Sequence, residues 1–382
     1  MKRRSFRNTF AQISLQAIEE NAAAFKGSLQ PGCKLMAVVK GDGYGHGAVA
    51  AARSAIRGGA NYLGVAILDE AIQLREAGIT APILVLGYTA PFALKTAIDK
   101  DITITVFSKE VCHALLELVK TTKKRVKVHM KIETGMGRVG IQTPKDLLEL
   151  TKPLYQHPAI EVEGVFTHFA CADNLNSSYT DEQFSTFLTL VEKLEEEGIA
   201  IPIKHCCNSA GTLFHKDKHL SMVRVGISLY GLKPDQALDL PITLTQAMKL
   251  YSSIVSIRTL AAGSTISYGR TFTLPTDSMV ATLPIGYADG LSRSLSNKGV
   301  VMINETQVPI IGRVCMDQTM IDISKLSNVQ VDDLVEFPID DMAEKADTIN
   351  YEIVCAISKR VPRYYESSET PTPLSLKEEI FV

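Results

Sequence analysis

From residue 34 to residue 226 the chain alternates short apolar runs with longer amphipathic stretches, and this alternation limits the fold more than any other feature. The strand-like runs are residues 35–39, 62–67, 83–87, 102–106, 126–132, 162–168, 203–207 and 222–225. Between them, residues 69–77, 109–120, 144–155 and 181–197 carry helical spacing. Strands separated by helices form a parallel sheet covered by those helices, because a parallel partner is reached only through a long crossover. Eight such units over about 200 residues predict a closed (β/α)8 barrel rather than an open sheet.

Beyond Tyr230 the texture changes. Residues 243–256, 265–272, 279–284, 300–303, 308–314, 320–323 and 334–337 are short alternating runs, separated at Gly263, Asp289-Gly290, Asn297 and Asn304. Turn residues at that spacing predict an all-β unit. The change places a boundary near residue 240, giving a barrel domain over 1–240 and a mainly β domain over 241–382. Apolar residues make up 46% of the chain, enough for a sizeable core. Forty basic against 42 acidic residues leave a charge of −2, which gives no pull towards nucleic acid or an anionic membrane. The basic cluster Lys2, Arg3, Arg4 and Arg7 has no apolar run behind it and reads as solvated, not as a secretory signal. Seven scattered cysteines contain no Cys-x-x-Cys pair, and adjacent Cys206 and Cys207 would face opposite sides of a strand. A disulfide framework and a metal site are not expected, and the chain reads as cytoplasmic.

Ligands of such a barrel bind at the carboxyl ends of the strands. Reading those ends gives Lys40, Arg138, His168, Asn208, Ser209 and Arg224. Lys40 closes an apolar strand, where lost hydration lowers an amine's pKa towards a usable nucleophile, and the glycines after it let backbone approach a ligand. Tyr44 in the same loop could donate to an anion. Lys131, Glu133 and Arg138 flank a glycine turn and suggest an ordered charge network. Arg224 lies within a barrel strand, stays charged and must find acceptors inside. Each residue alone also has a plainer reading: a lysine whose stem packs while its head stays wet, a surface ion pair, a satisfied core histidine. Tyr268 and Tyr287 sit at turns of the β unit, where packing is the ordinary role of tyrosine.

Taken together, these segments resemble the alanine racemase family. The stretches that carry the resemblance are AVVKGDGYGHG (37–47), KIETGMGRVG (131–140), THFACAD (167–173), NSAGTLF (208–214) and MVRVGISLYG (222–231). SYGRTF (267–272), LPIGYADG (283–290), GRVCMDQ (312–318) and INYEIVCAISKRVPR (349–363) follow in family order. The resemblance implies a pyridoxal 5'-phosphate enzyme acting on alanine, built as a homodimer with shared active sites. Lys40 would carry the cofactor and act as one base, and Tyr268 of the partner subunit would be the other. His168 backed by Arg224 would assist that phenol, and Arg224 would meet the cofactor's ring nitrogen. Tyr44, Ser209, Tyr351 and the backbone of Gly226 and Ile227 would hold the phosphate. Arg138 and the Met316 amide would hold the substrate carboxylate, and Tyr287 would stand at the entrance. Lys131 matches a lysine often found as a carbamate.

Three departures from the family pattern stand out: Glu133, the glycine-rich Gly41-Asp42-Gly43, and Cys206-Cys207 before Asn208. The tail 364–382 carries no readable motif. Three alternatives stay open at this point. A decarboxylase on the same scaffold would prefer a carboxylate where Arg224 stands. A non-catalytic barrel that carries the cofactor would lack the β unit. A small pocket could also admit serine, since apolar walls reject one added hydroxyl weakly.

Overall fold

A computed structural model describes residues 6–122 and 124–366. Lys2, Arg3, Arg4 and residues 367–382 of the tail lie outside the described residues. The described chain divides into two compact units: residues 17–43 with 48–245, and residues 6–16, 44–47 and 246–366.

The first unit is the expected barrel. Its eight parallel strands are Lys34–Val38, Tyr62–Val65, Ile83–Val85, Thr103–Val106, Val126–Lys131, Ile160–Phe166, Ile203–His205 and Met222–Val225. They pair in sequence order, and the eighth pairs with the first from Lys34↔Met222 to Ala37↔Val225. Ser221 N donates to Lys204 O (3.1 Å) and Arg224 N to Cys207 O (3.0 Å), which closes the ring between seventh and eighth strands. Met36, Tyr62, Leu84, Phe166, Ile203 and Met222 form one buried cluster drawn from six strands. Both faces of each strand are covered, so the strands read as apolar runs. Side-chain caps begin the outer helices: Ser108 accepts from Val111 N ahead of Lys109–Val119, and Thr143 from Asp146 N ahead of Pro144–Gln156.

The second unit is a nine-stranded sheet. Its order is Ser256–Leu260, Ser278–Leu283, Thr319–Asp322, Thr306–Ile311, Val300–Ile303, Leu334–Phe337, Met248–Ser253, Phe10–Ser14 and Arg363–Glu366. All pairs are antiparallel except the last, where Ala11↔Arg363 runs to Ser14↔Glu366 in parallel. Several expected runs break differently. Residues 243–256 split into Met248–Ser253 and the start of a separate strand, Ser256–Leu260. Residues 265–272 become two two-residue strands around a 3-10 turn at Tyr268–Arg270, because Ser267 (φ 66°) and Gly269 (φ 71°) are left-handed. Helices Ile339–Ala346 and Asn350–Ala356 interrupt the β texture. Residues 364–366, unread in the sequence, are part of the last strand. Among the described residues no helix is long and apolar enough to cross a membrane.

Candidate active site

Lys40 follows the first barrel strand and is half-buried at its carboxyl end. The chain then winds through a left-handed turn: Gly41, Asp42 and Gly43 have φ of 62°, 53° and 63°, and Tyr44 has 52°. Only glycine takes that region at no cost, and each non-glycine residue there costs about 1–2 kcal/mol. The turn is tied at three points. Gly43 N donates to Val39 O (2.9 Å), Gly41 N to Glu70 Oε1 (2.6 Å), and Ala48 N to Asp42 Oδ1 (2.9 Å). Lys40 therefore leaves a rigid corner, not a flexible glycine loop. Glu70, which also accepts from Ala66 N at 2.7 Å, escaped the sequence reading. Its one signal was a carboxylate in the first turn of Leu68–Glu76.

Arg224 is buried in the eighth strand and finds its acceptors inside the barrel. The two hydrogens of one terminal nitrogen serve Thr167 O (2.8 Å), Cys206 O (3.0 Å) and, by sharing, His168 Nδ1 (3.1 Å); the other nitrogen donates to His205 Nδ1 (2.8 Å). Burial brings the guanidinium down to about 10, so it remains a cation in neutral solution. A guanidinium only donates, so Nδ1 of His168 accepts and its proton sits on Nε2. Burial, then the charges of Arg224, Lys131, Arg138 and Lys40, push His168 well below the ordinary imidazole range and keep it neutral. Lys131 is buried with its Nζ 4.5 Å above the Phe166 ring. Burial and the nearby charges of Arg224, Arg138 and Lys40 lower its amine to about 7, against a smaller opposing pull from Glu133.

The charge network expected at Lys131, Glu133 and Arg138 is arranged otherwise. Arg138 is exposed, and the Glu133 carboxylate accepts from the backbone amides of Gly135 (2.6 Å) and Arg138 (3.1 Å). Burial raises this carboxyl, but the amides of Gly135, Gly137, Arg138 and Met136 outweigh it and hold it low. Glu133 thus shapes the turn and leaves the cations to face a ligand. Asn208 is also occupied: its side chain accepts from Gly211 N (2.9 Å) at the start of Ser209–Phe214. Ser209 Oγ accepts from Gly226 N (3.0 Å), joining the loops after the seventh and eighth strands. Ile227 opens the following 3-10 turn, in which Ser228 Oγ is buried without a hydrogen-bond partner among the described residues. Cys206 and Cys207 do not straddle a strand. The seventh strand ends at His205, and both thiols reach Lys218 O at 3.2 Å.

The β unit assembles a second group of residues. Tyr44 and Tyr351 meet edge to face, ring centroids 6.3 Å apart. Three loops are cross-linked: Ser267 Oγ donates to Arg313 O (2.6 Å), Tyr287 N to Cys315 O (3.0 Å), and Ala288 N to Met316 O (3.0 Å). The loops carry Tyr268, Tyr287 and Met316, which are 72%, 45% and 52% exposed. Behind them Asp289 is buried and accepts from Arg7 (2.5 and 3.1 Å) and Gly286 N (3.1 Å), with Arg360 3.5 Å away. Tyr268 and Tyr287 are therefore not the packing residues their turn positions allowed.

A closed barrel that gathers Lys40, Arg138, Arg224, a lysine titrating near 7 and a neutral imidazole at the carboxyl ends of its strands suits a small anionic ligand. The family model described as "Alanine racemase, N-terminal domain" matches residues 13–234, and "Alanine racemase, C-terminal domain" matches residues 247–365. The chain belongs to the alanine racemase family and is an amino-acid racemase. It is 49% identical over 376 residues to alanine racemase 1 of Oceanobacillus iheyensis, covering 96% of this chain and 100% of that protein. The alanine racemase of Desulfovibrio desulfuricans is 43% identical over 365 residues, with 94% and 98% covered. A crystal structure of alanine racemase from Bacillus anthracis with bound L-Ala-P superposes with a TM-score of 0.91 at 39% identity, covering 96% of this chain and 97% of that one.

Proposed function

We propose that the chain interconverts L-alanine and D-alanine with pyridoxal 5'-phosphate held on Lys40, by two bases, in a cytoplasmic homodimer. The observation that carries the reading is the cluster of Lys40, Lys131, Arg138 and Arg224 around neutral His168, with the Glu133 carboxylate engaged by backbone amides. Such a cluster suits a cofactor phosphate together with a substrate carboxylate. The residues present fit that group. Ser228 Oγ is an unmet donor in the turn after the eighth strand, beside Gly226 and Ile227, and Ser209 is joined to Gly226. With Tyr44 and Tyr351 these would hold the phosphate.

When bound, the cofactor supplies an electron sink that makes the α-proton of an amino acid acidic. Inversion needs that proton removed from one face and another delivered to the opposite face. Lys40 Nζ serves one face and Tyr268 of the partner subunit serves the other. An unperturbed phenol, with a pKa of about 10, is a poor base at neutral pH. His168, with its Nε2 proton free of Arg224, donates towards the phenol oxygen and lowers its pKa. Arg224 would face the ring nitrogen as a permanent donor, a charge that would disfavour protonation there and so moderate the sink. A decarboxylase would need the opposite charge there. Arg138 and the Met316 backbone amide hold the substrate carboxylate, and Tyr287 lines the entrance. Lys131, largely neutral above pH 7, can take up carbon dioxide as a carbamate and present an anion to Arg138. The seven cysteines are free thiols, which suits a reducing compartment.

The test is a chiral-column time course on the holoenzyme with L-alanine, with L-serine in parallel. Alanine converges to an equal mixture, and Lys40→Ala abolishes the conversion. Alanine that stays L while the cofactor remains bound would refute the reading.

A further inference from the structure

Beneath Arg224 a line of polar side chains runs down the barrel interior, and the activity described so far uses none of them beyond His205. His205 Nε2 lies 2.9 Å from His129 Nδ1, and His129 Nε2 lies 3.4 Å from Glu163 Oε2. That oxygen also accepts from Tyr62 (2.9 Å), whose hydroxyl is 2.8 Å from Thr103 Oγ1. Glu163 Oε1 accepts from Lys127 Nζ at 3.1 Å, and Lys127 is 39% exposed. Both imidazoles are fully buried, and the Phe166 ring stacks on His205 at 4.7 Å.

The barrel backbone makes room for this line. Between fifth and sixth strands the register jumps from Val128↔Val162 to His129↔Gly164, which leaves Glu163 as the extra residue of a bulge. Bulges re-aim side chains, and Glu163 is buried here where Glu161 is exposed. Gly164 is required beside it: a Cβ there would lie 2.4 Å from the His129 ring.

The direction of every bond follows from the two charged ends. Arg224 only donates, so His205 Nδ1 accepts and its proton sits on Nε2. That proton points at His129 Nδ1, which fixes the His129 proton on Nε2, facing a carboxylate that only accepts. Burial alone would raise the Glu163 carboxyl, but His129 and Lys127 hold it down at about 2. With the acceptor at the far end removed, either imidazole could reverse. A reversed His205 would turn an N–H against the guanidinium N–H and leave both buried donors unpaired.

We propose that Glu163 is a positioning residue for Arg224, acting through His129 and His205 to fix the tautomer that lets His205 accept from the guanidinium. Its effect on turnover rests on Arg224 meeting the cofactor ring. The experiment is 15N NMR of the histidine side chains in the holoenzyme, with kinetics and the absorbance of the bound cofactor measured on Glu163→Met, Glu163→Gln and Arg224→Lys.

In the unsubstituted enzyme His129 and His205 each carry the proton on Nε2. In Glu163→Met the His205 signal moves towards the other tautomer and the cofactor absorbance shifts. kcat falls about tenfold with KM nearly unchanged, the size expected for losing one charge-assisted hydrogen bond. Glu163→Gln, which keeps an acceptor oxygen, recovers part of each. A proton on His205 Nδ1 in the unsubstituted enzyme overturns the proposal, and that measurement stands even if Glu163→Met does not fold. So does a folded Glu163→Met with unchanged His205 and kcat. If Arg224→Lys alters neither absorbance nor kcat, the ring-nitrogen reading fails separately from the tautomer assignment.

Discussion

Replacing Lys131 by methionine tests how the barrel mouth treats charge. The methionine keeps an unbranched stem against Phe166 but cannot be charged. The amine's fall from its ordinary 10.5 to about 7 has burial as its largest cause, followed by Arg224, Arg138 and Lys40. At about 1.4 kcal/mol per tenfold, charging this amine in the folded state costs about 5 kcal/mol more than in the unfolded chain. The sign follows from proton counting. Below pH 7 both states carry the proton and the full cost applies. Between about 7 and 10.5 only the unfolded chain carries it, so stability rises with pH. From pH 6 to pH 9 the wild-type protein should therefore gain about 2.7 kcal/mol that Lys131→Met does not. Urea unfolding of both proteins at the two pH values, in buffer free of carbon dioxide, reads this gap directly. At pH 6 the variant should be the more stable, and its lead should shrink by pH 9. Parallel curves would refute the argument, since they would mean that the amine keeps its ordinary pKa.

Asp289→Ala should cost about 1–3 kcal/mol in thermal or urea unfolding, because it removes the buried acceptor of Arg7 and of Gly286 N while Arg7 keeps Pro284 O and partial access to water; an unchanged stability would contradict the geometry. Gly45→Ala would bring a Cβ to 2.2 Å from Val354 O at a φ of +80°, so the β unit should lose several kcal/mol and the protein should express poorly. Unaltered solubility and melting temperature would show that the backbone there moves freely.

The sequence resolved the barrel better than its partner unit, for a physical reason. Barrel strands are apolar on both faces and separated by amphipathic helices, so all eight announce themselves locally. Phe10–Ser14 does not: FAQIS is five residues long, and its partners lie at Met248–Ser253 and Arg363–Glu366. The break at Ser267 came from backbone torsion, which alternating polarity does not reveal. In the site, Lys40, His168 and Arg224 stood out because a polar residue ending an apolar strand asks for a reason. Glu133 misled, since a carboxylate between two cations looks like their counterion and here serves amides. Neither His129 in Val126–Lys131 nor Glu163 in Ile160–Phe166 was singled out from the sequence, although each is a polar interruption of an apolar strand. Their partnership needed the bulge, and a register shift leaves no mark in one sequence.

The N-terminal strand carries a consequence for synthesis. Ser14 leaves the ribosome early, yet its parallel partner Glu366 follows 352 residues later (366 − 14). At about 5–20 residues per second the wait is roughly 20–70 s. Until Met248–Ser253 is made Phe10–Ser14 has both edges unmet, and one edge then stays open until Arg363–Glu366 follows, while the barrel strands pair with near neighbours as they emerge. The edge of the sheet beside Phe10–Ser14 is closed only by Arg363–Glu366, so a polypeptide cut before residue 363 cannot complete it.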